Sequence, residues 1–358
     1  MSPFNGFVQI YIYIYTFFLT EYIHGAYPGP VCFSKRSVNF PEANLRDGVP
    51  SSRHPLRYSG VCIRAIVPYM VEYVPADDRP SFLVEVCTDS VDASARAMEH
   101  GAGRLEVCSR LAHGGYTPDM EVLDAVLELR AARYPSCRVF AMVRPWLKGK
   151  DNFEYSTAKE RKALFDDLDA VASRGVDGVV VGALYRDKNG FLSVDNQLMT
   201  GLCLVADRRN IGDVTFHRAF DEIHGDRDDA IHMLGRCGTI TRILTSGGKG
   251  QASRVVDGHN MENIFRYQLT AAPVGITILP GSGLDPENVA ETVKWTGCRE
   301  VHGSFGGGAL VGEVVRVLEE VSAVEGRLKQ KGESDVDELC RLTSTGEFKV
   351  SRMNQLLQ

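Results

Sequence analysis

Val84-Glu85-Val86-Cys87 and Leu105-Glu106-Val107-Cys108 are near repeats: each alternates apolar and acidic residues, and each ends in a cysteine. Alternation with period two marks a strand with two unlike faces. Between them, Asp89 to Gly103 offers an Asp or Ser cap, apolar Val91, Ala95, Ala97 and Met98 at helical spacing, and a Gly-Ala-Gly stop. The unit reads as strand, helix, parallel strand. Parallel neighbours lie ~4.8 Å apart, so cysteines at matching ends of adjacent strands would meet although distant in sequence. The repeat therefore predicts a paired thiol site.

Downstream the same rhythm continues. Strands are expected at Phe82 to Cys87, Arg104 to Cys108, Arg138 to Arg144, Gly178 to Gly182, Val214 to Arg218, Arg242 to Ser246, Gly275 to Leu279 and Glu300 to Ser304. Helical patterns fall at Met120 to Arg133, Ala158 to Ser173, Asn196 to Asp207, Asp228 to Leu234, within Ser253 to Leu269, at Asp285 to Trp295 and near Leu310 to Val321. Eight strand-helix units in about 245 residues match the size of a (β/α)8 TIM barrel. A doubly wound open sheet is the alternative, but no Gly-x-Gly-x-x-Gly follows the first strand and polar residues gather at many strand ends rather than at one switch point. The expected organisation is an extension over residues 1–80, rich in scattered prolines, a barrel over 81–325, and a polar tail over 326–358.

In a barrel the apolar phase of each strand faces the helices. That sends Val84, Val86, Leu105 and Val107 outward and turns Glu85, Cys87, Glu106 and Cys108 inward, joined by Thr215, His217, Glu300, His302 and Ser304, with Arg144 closing the third strand. Closure makes strand eight the neighbour of strand one, so His302, Glu85, Cys87, Glu106, Cys108 and Arg144 should form one arc with His217 across from it. Buried carboxylates need Arg144, a histidine or water nearby.

Net charge −6 gives no footprint for nucleic acid or anionic lipid. The nine cysteines are odd in number and spread without a Cys-x-x-Cys pair, which suits a reducing cytoplasm. Phe7 to Leu19 is apolar like a signal-peptide core, yet no Lys or Arg precedes it and it falls short of the ~20 residues that span a bilayer. The expected location is the cytoplasm, with no membrane partner. Thiolates are soft donors, and two of them suit Cu(I), which accepts low coordination, better than zinc or an iron-sulfur cluster, each of which wants four ligands.

The chain from about Ser81 to Phe305 resembles the CutC copper homeostasis proteins. The resemblance rests on Glu85-Val86-Cys87, Gly101 to Cys108 (GAGRLEVC), Gly114-Gly115-Tyr116-Thr117-Pro118, Arg144-Pro145, Thr215 to Asp221 (TFHRAFD), Leu244-Thr245-Ser246-Gly247 and Glu300-Val301-His302. It implies a barrel of this kind, a copper ion as cargo, and Cu(I) bound at Cys87 and Cys108. The pattern departs after Arg144-Pro145, where the family usually continues Arg-Gly-Gly-Asp-Phe and this chain has Trp146 to Phe153 (WLKGKDNF). The family's glycine-rich turn after strand seven appears as Pro280-Gly281-Ser282-Gly283.

Two readings stay open. One is a copper store or carrier using Cys87 and Cys108, surrounded by Glu85, Glu106, Arg144, His217, Arg218, Asp221 and His302. The other is an enzyme acting on a small substrate, phosphorylated or not, with His217 and Glu85 or Glu106 as acid-base groups. In the second, Ser246, Gly247, Gly281 and Gly283 would offer amides to an anion, with Asp285 capping the next helix and Pro286 at its first position. A homo-oligomer is compatible with either, and the protein that gives or takes copper is left open.

Overall fold

The computed structural model describes residues 82–331 except Gly149, Asp151 and Gln251, so the expected extension and most of the expected tail lie outside the described residues. In chain order the elements are β1 (Leu83–Thr88), α1 (Val91–Glu99), β2 (Arg104–Val107), α2 (Met120–Arg133), β3 (Arg138–Met142), α3 (Ala158–Ala172) and β4 (Gly178–Val181). Then come β5 (Leu184–Arg186), β6 (Leu192–Val194), α4 (Asn196–Arg208), β7 (Val214–Phe216), α5 (Arg227–Gly235) and β8 (Ile240–Thr245). The last are α6 (Asn260–Ala271), β9 (Thr277–Pro280), α7 (Val289–Thr296), β10 (Glu300–Gly303) and α8 (Val311–Lys331).

Eight strands pair in the order β10-β1-β2-β3-β4-β7-β8-β9, each pairing parallel. A parallel bridge between Gly281 and His302 ties the two ends together. The result is a closed (β/α)8 barrel, as the alternation of strands and helices implied. Among the described residues no helix is long and apolar enough to cross a membrane.

Local chemistry sets the helix starts. The Ser90 hydroxyl accepts from the Ala93 amide at 3.3 Å and opens α1. Thr157 and Glu160 form a reciprocal capping box at α3, and Asp195 caps α4 by accepting from Leu198. The outward phase (Val86, Leu105, Val107, Val139, Val179, Val181, Phe216, Ile243, Ile278, Val301) packs against the helices in one core, while Cys108, Phe140, Met142 and Val180 form a separate apolar cluster inside the barrel.

Three details differ from the sequence reading. The antiparallel pair β5–β6 sits between β4 and α4, where no strand was expected. Helix α7 begins at Val289 rather than Asp285: the Asp285 carboxylate accepts the amides of Glu287 at 2.9 Å and Asn288 at 3.1 Å, so Pro286 lies in a turn ahead of the helix. The register of β1 and β2 sets Cys87 opposite Glu106, not opposite Cys108. Strands in a barrel are staggered by its shear, so repeated sequence need not mean matched height.

The barrel floor is charged. Arg104 donates to Glu300 at 2.6 Å, Arg242 to Glu300 and to Asp213 at 2.7 Å each, and Arg138 to Asp213 at 2.6 Å. These arginines surround the buried Phe140 ring, at 4.9 Å for Arg138, 5.0 Å for Arg104 and 5.6 Å for Arg242. Phe140 fits because the facing residue on β4 is Gly178: a Cβ there would lie 2.5 Å from the ring. Gly178→Ala is expected to destabilise the fold by about 1–3 kcal/mol through overpacking. A urea melt should show a lower midpoint at unchanged slope.

Candidate functional site

The inward set lines the barrel as two clusters. On the β10-β1-β2 side, Glu85 is wholly buried. It is ion-paired to Arg104 and accepts from His302 Nδ1 at 2.7 Å. Glu106 Oε2 stands 3.8 Å from the same His302 nitrogen, within ion-pair range but beyond hydrogen-bond reach, and has no hydrogen-bond partner. Among the described residues, Glu85, Glu106 and His302 are the three metal-capable side chains whose donor atoms all lie within 4.8 Å of one another.

Cys87 and Cys108 are both buried on this side. Cys87 lies beside the His302 imidazole and favours its charged form. Cys108 lies one side-chain step farther toward the rim, where its thiol donates to the Thr88 carbonyl at 3.4 Å. Gly115 lies over Cys108, a Cβ there falling 3.5 Å from the sulfur.

Burial and charge then set the protonation states. Burial alone would raise the Glu85 pKa, but Arg104 and His302 hold it well below the carboxylate range. Glu106 goes the other way: burial, with Glu85 adding to it, outweighs His302 and Arg104 and lifts it to about 7. Burial opposes charge on His302, yet Cys87, Glu106 and Glu85 keep it charged well above the ordinary histidine range. Cys108 is pushed up, first by burial and then by Glu106, Cys87 and Asp89, so it rests as a thiol.

The second cluster lies at the ends of β3 and β7. Arg144 does not neutralise the carboxylates, as the sequence reading allowed; Arg104 and His302 take that role. The Arg144 guanidinium lies 4.3 Å from the Tyr116 ring centre and 4.6 Å from that of Phe153, and donates to the carbonyls of Gly115 at 3.1 Å and Gly114 at 3.4 Å. Phe153 in turn packs 4.7 Å from His217. At the outer end Trp146, half exposed, meets Tyr116 edge-on at 5.0 Å and Arg110 at 4.6 Å. The segment that departs from the CutC pattern thus supplies both Trp146 and Phe153 to a ladder running from solvent to His217. His217 is neutral, its pKa lowered to about 3 by burial and then by Arg144.

The remaining expected residues knit loops together. Asp221 accepts from Thr245 Oγ1 at 2.5 Å, from the Ser246 amide at 3.1 Å and from the Ser246 hydroxyl at 2.9 Å, and Arg218 pairs with it at 2.9 Å. The Gly247 amide donates to Thr245 Oγ1 at 2.9 Å and the Gly281 amide to the Thr245 carbonyl at 3.0 Å. A Cβ on Gly283, whose φ is +77°, would lie 2.3 Å from the Arg254 side chain. The amides of Ser246, Gly247 and Gly281 are therefore engaged within the protein, with the Asp221 carboxylate in the place an external anion would take. Arg104 is the functional residue missing from the sequence reading. Its signal was present, because it shares the inward phase of Glu106 and Cys108.

Fold and site together define a (β/α)8 barrel whose carboxyl-end mouth combines two thiols, two carboxylates and an imidazolium. The CutC family model matches residues 82–307, well over half of the chain, and the chain belongs to the CutC family. The copper homeostasis protein cutC homolog of Mus musculus is 37% identical over 221 residues, covering 62% of this chain and 72% of its own. The family protein CutC of Vibrio parahaemolyticus is 32% identical over 266 residues, covering 73% and 94%. A crystal structure of CutC from Streptococcus agalactiae, 26% identical, superposes with a TM-score of 0.53 over 63% of this chain and 99% of that one.

Two outcomes follow. Arg104→Met would leave Glu85 buried beside one partner instead of two and should cost about 3–5 kcal/mol in chemical denaturation. Between pH 4.5, the ordinary value, and about 7 the folded chain keeps a proton on Glu106 that the unfolded chain has lost. Its contribution to stability therefore falls as pH rises through that window, by at most about 1.4 kcal/mol per pH unit. Glu106→Gln should flatten that part of the stability profile, while the acid-side loss from Glu85, below pH 4.5, stays.

Proposed function

We propose that this chain binds Cu(I) at the barrel mouth through Cys87 and Cys108 and stores or delivers it in the cytoplasm as part of copper homeostasis. The observation that carries this reading is the burial of two sulfurs on the inner face of adjacent strands, Cys87 level with Glu106 and Cys108 two residues beyond Glu106 on the same inward phase. The stagger of β1 and β2 places the sulfurs at successive depths, an arrangement suited to an ion that enters past Cys108 and settles toward Cys87. Thiolates are the soft donors that select Cu(I). His302, held by Glu85, and Glu106 would then surround the ion and balance its charge. Copper must displace the Cys108 proton, so affinity should rise with pH.

Anaerobic titration against a chromophoric Cu(I) chelator tests this. Wild type should withdraw one equivalent of copper, more tightly at higher pH, and Cys87→Ser/Cys108→Ser should lose that competition. Equal affinity in the double variant would refute the assignment.

A second reading, a barrel enzyme for a small substrate, is favoured by one observation: the Glu106 carboxyl sits at about 7 with an unpartnered oxygen, the condition of a general acid or base at neutral pH. In that reading Glu106 rather than Glu85 or His217 moves the proton, because Glu85 is locked in its ion pairs and His217 resists protonation.

A further inference from the structure

Three side chains at the seam of the barrel form a donor group that needs no sulfur. Glu85, Glu106 and His302 come from the neighbouring strands β1, β2 and β10, and all three are buried. One donor atom from each lies within 4.8 Å of the other two. Glu85 divides its oxygens: Oε2 is ion-paired to Arg104, and Oε1 accepts from His302 Nδ1 at 2.7 Å. Arg104 thus fixes the carboxylate with one oxygen turned to the imidazole. Glu106 brings an oxygen of another kind. Its Oε2 is buried with no hydrogen-bond donor and faces the same Nδ1 at 3.8 Å.

A buried carboxylate oxygen without a donor is uncommon and costly, and the one nitrogen that faces it already serves Glu85. A cation placed among the three atoms would satisfy both carboxylates at once. First-row divalent ions hold carboxylate and imidazole ligands at about 2.0–2.2 Å, which sets neighbouring ligand atoms roughly 3.0–3.5 Å apart. The 2.7 and 3.8 Å separations bracket that spacing, and no pair in the group exceeds 4.8 Å. Two carboxylates and an imidazole suit manganese, iron or zinc as divalent ions, whereas Cu(I) prefers sulfur. Behind the group, Arg104 reaches on to Glu300 at 2.6 Å, the kind of outer contact that orients a ligating carboxylate.

We propose that Glu85 Oε1, Glu106 Oε2 and His302 Nδ1 bind one divalent first-row cation, with water completing its coordination. The ion takes the place of the proton between His302 and Glu85: Nδ1 releases that proton to solvent and gives its lone pair to the metal, while Nε2 keeps its hydrogen. This site asks nothing of Cys87 or Cys108 and stands apart from the copper reading.

Mn²⁺ is the probe, because thiolates are poor ligands for it and its electron paramagnetic resonance reports binding directly. Copper-free full-length protein should withdraw one equivalent of Mn²⁺ from the aqueous signal, and Cys87→Ser/Cys108→Ser should do the same, so that failure of the copper assignment leaves this one intact. In protein labelled with ¹⁵N-histidine the bound ion should couple to one imidazole nitrogen, and Zn²⁺ should displace it. Glu106→Gln, which keeps the shape of the side chain, and His302→Gln should each weaken binding at least about tenfold, the second with loss of the nitrogen coupling. Each variant's thermal melt separates lost binding from lost folding. No binding at millimolar Mn²⁺, a bound ion without nitrogen coupling, unchanged affinity in a folded Glu106→Gln, or loss of binding in the double-serine variant would each overturn the proposal.

Discussion

A single carboxylate, that of Glu85, organises the barrel mouth. Removed from water, it can remain ionised only where cations are supplied, and here they come from the strands on either side: Arg104 from β2 and His302 from β10. The arrangement spans the seam where the sheet closes on itself. Buried ion pairs contribute little net stability compared with apolar packing, but they penalise alternatives severely. A slip of one residue in β1 would turn Glu85 toward the helices and leave Arg104 unmatched, so the pairing acts on register more than on depth of the energy well. Arg104 also reaches Glu300, which holds Arg242, which holds Asp213. Charge thus alternates around the floor from strand to strand.

The same balance divides the mouth into two electrostatic territories. On one side, an imidazolium surrounded by carboxylates and a sulfur lets one acid stay ionised and drives the other toward neutrality. On the other, an arginine stacked between aromatic rings keeps a histidine uncharged. Two histidines that face one barrel interior are therefore held in opposite states, and neither state follows from the residue type. Each follows from what the neighbouring strands bring to the same height.

Much of this was legible in the chain. The inward phase of Glu85, Cys87, Glu106, Cys108, Thr215, His217 and His302 follows from alternation alone, because the apolar partners Val84, Val86, Leu105, Val107, Val214, Phe216 and Val301 have to meet the helices. Helix α2 falls where its apolar spacing put it, at Met120–Arg133. Stagger was not legible. Two segments of nearly the same sequence suggested level cysteines, yet the offset between parallel strands is a property of the closed cylinder and not of either strand. Arg104 was visible as an inward residue, but its service to Glu85 instead of Arg144's depended on that same offset. The late start of α7 turned on whether the Asp285 side chain would cap a helix or close a turn, two outcomes open to one residue type.

Phe140 and its ring of arginines have a consequence for traffic. They fill the cylinder beneath the thiols, with Phe140 itself fully shielded from solvent. On the mouth side Gly115 lies over Cys108, and the ladder that begins at Trp146 reaches solvent. An ion held at Cys87 would meet this packed floor on one side, so its exchange would run through the mouth of the cylinder.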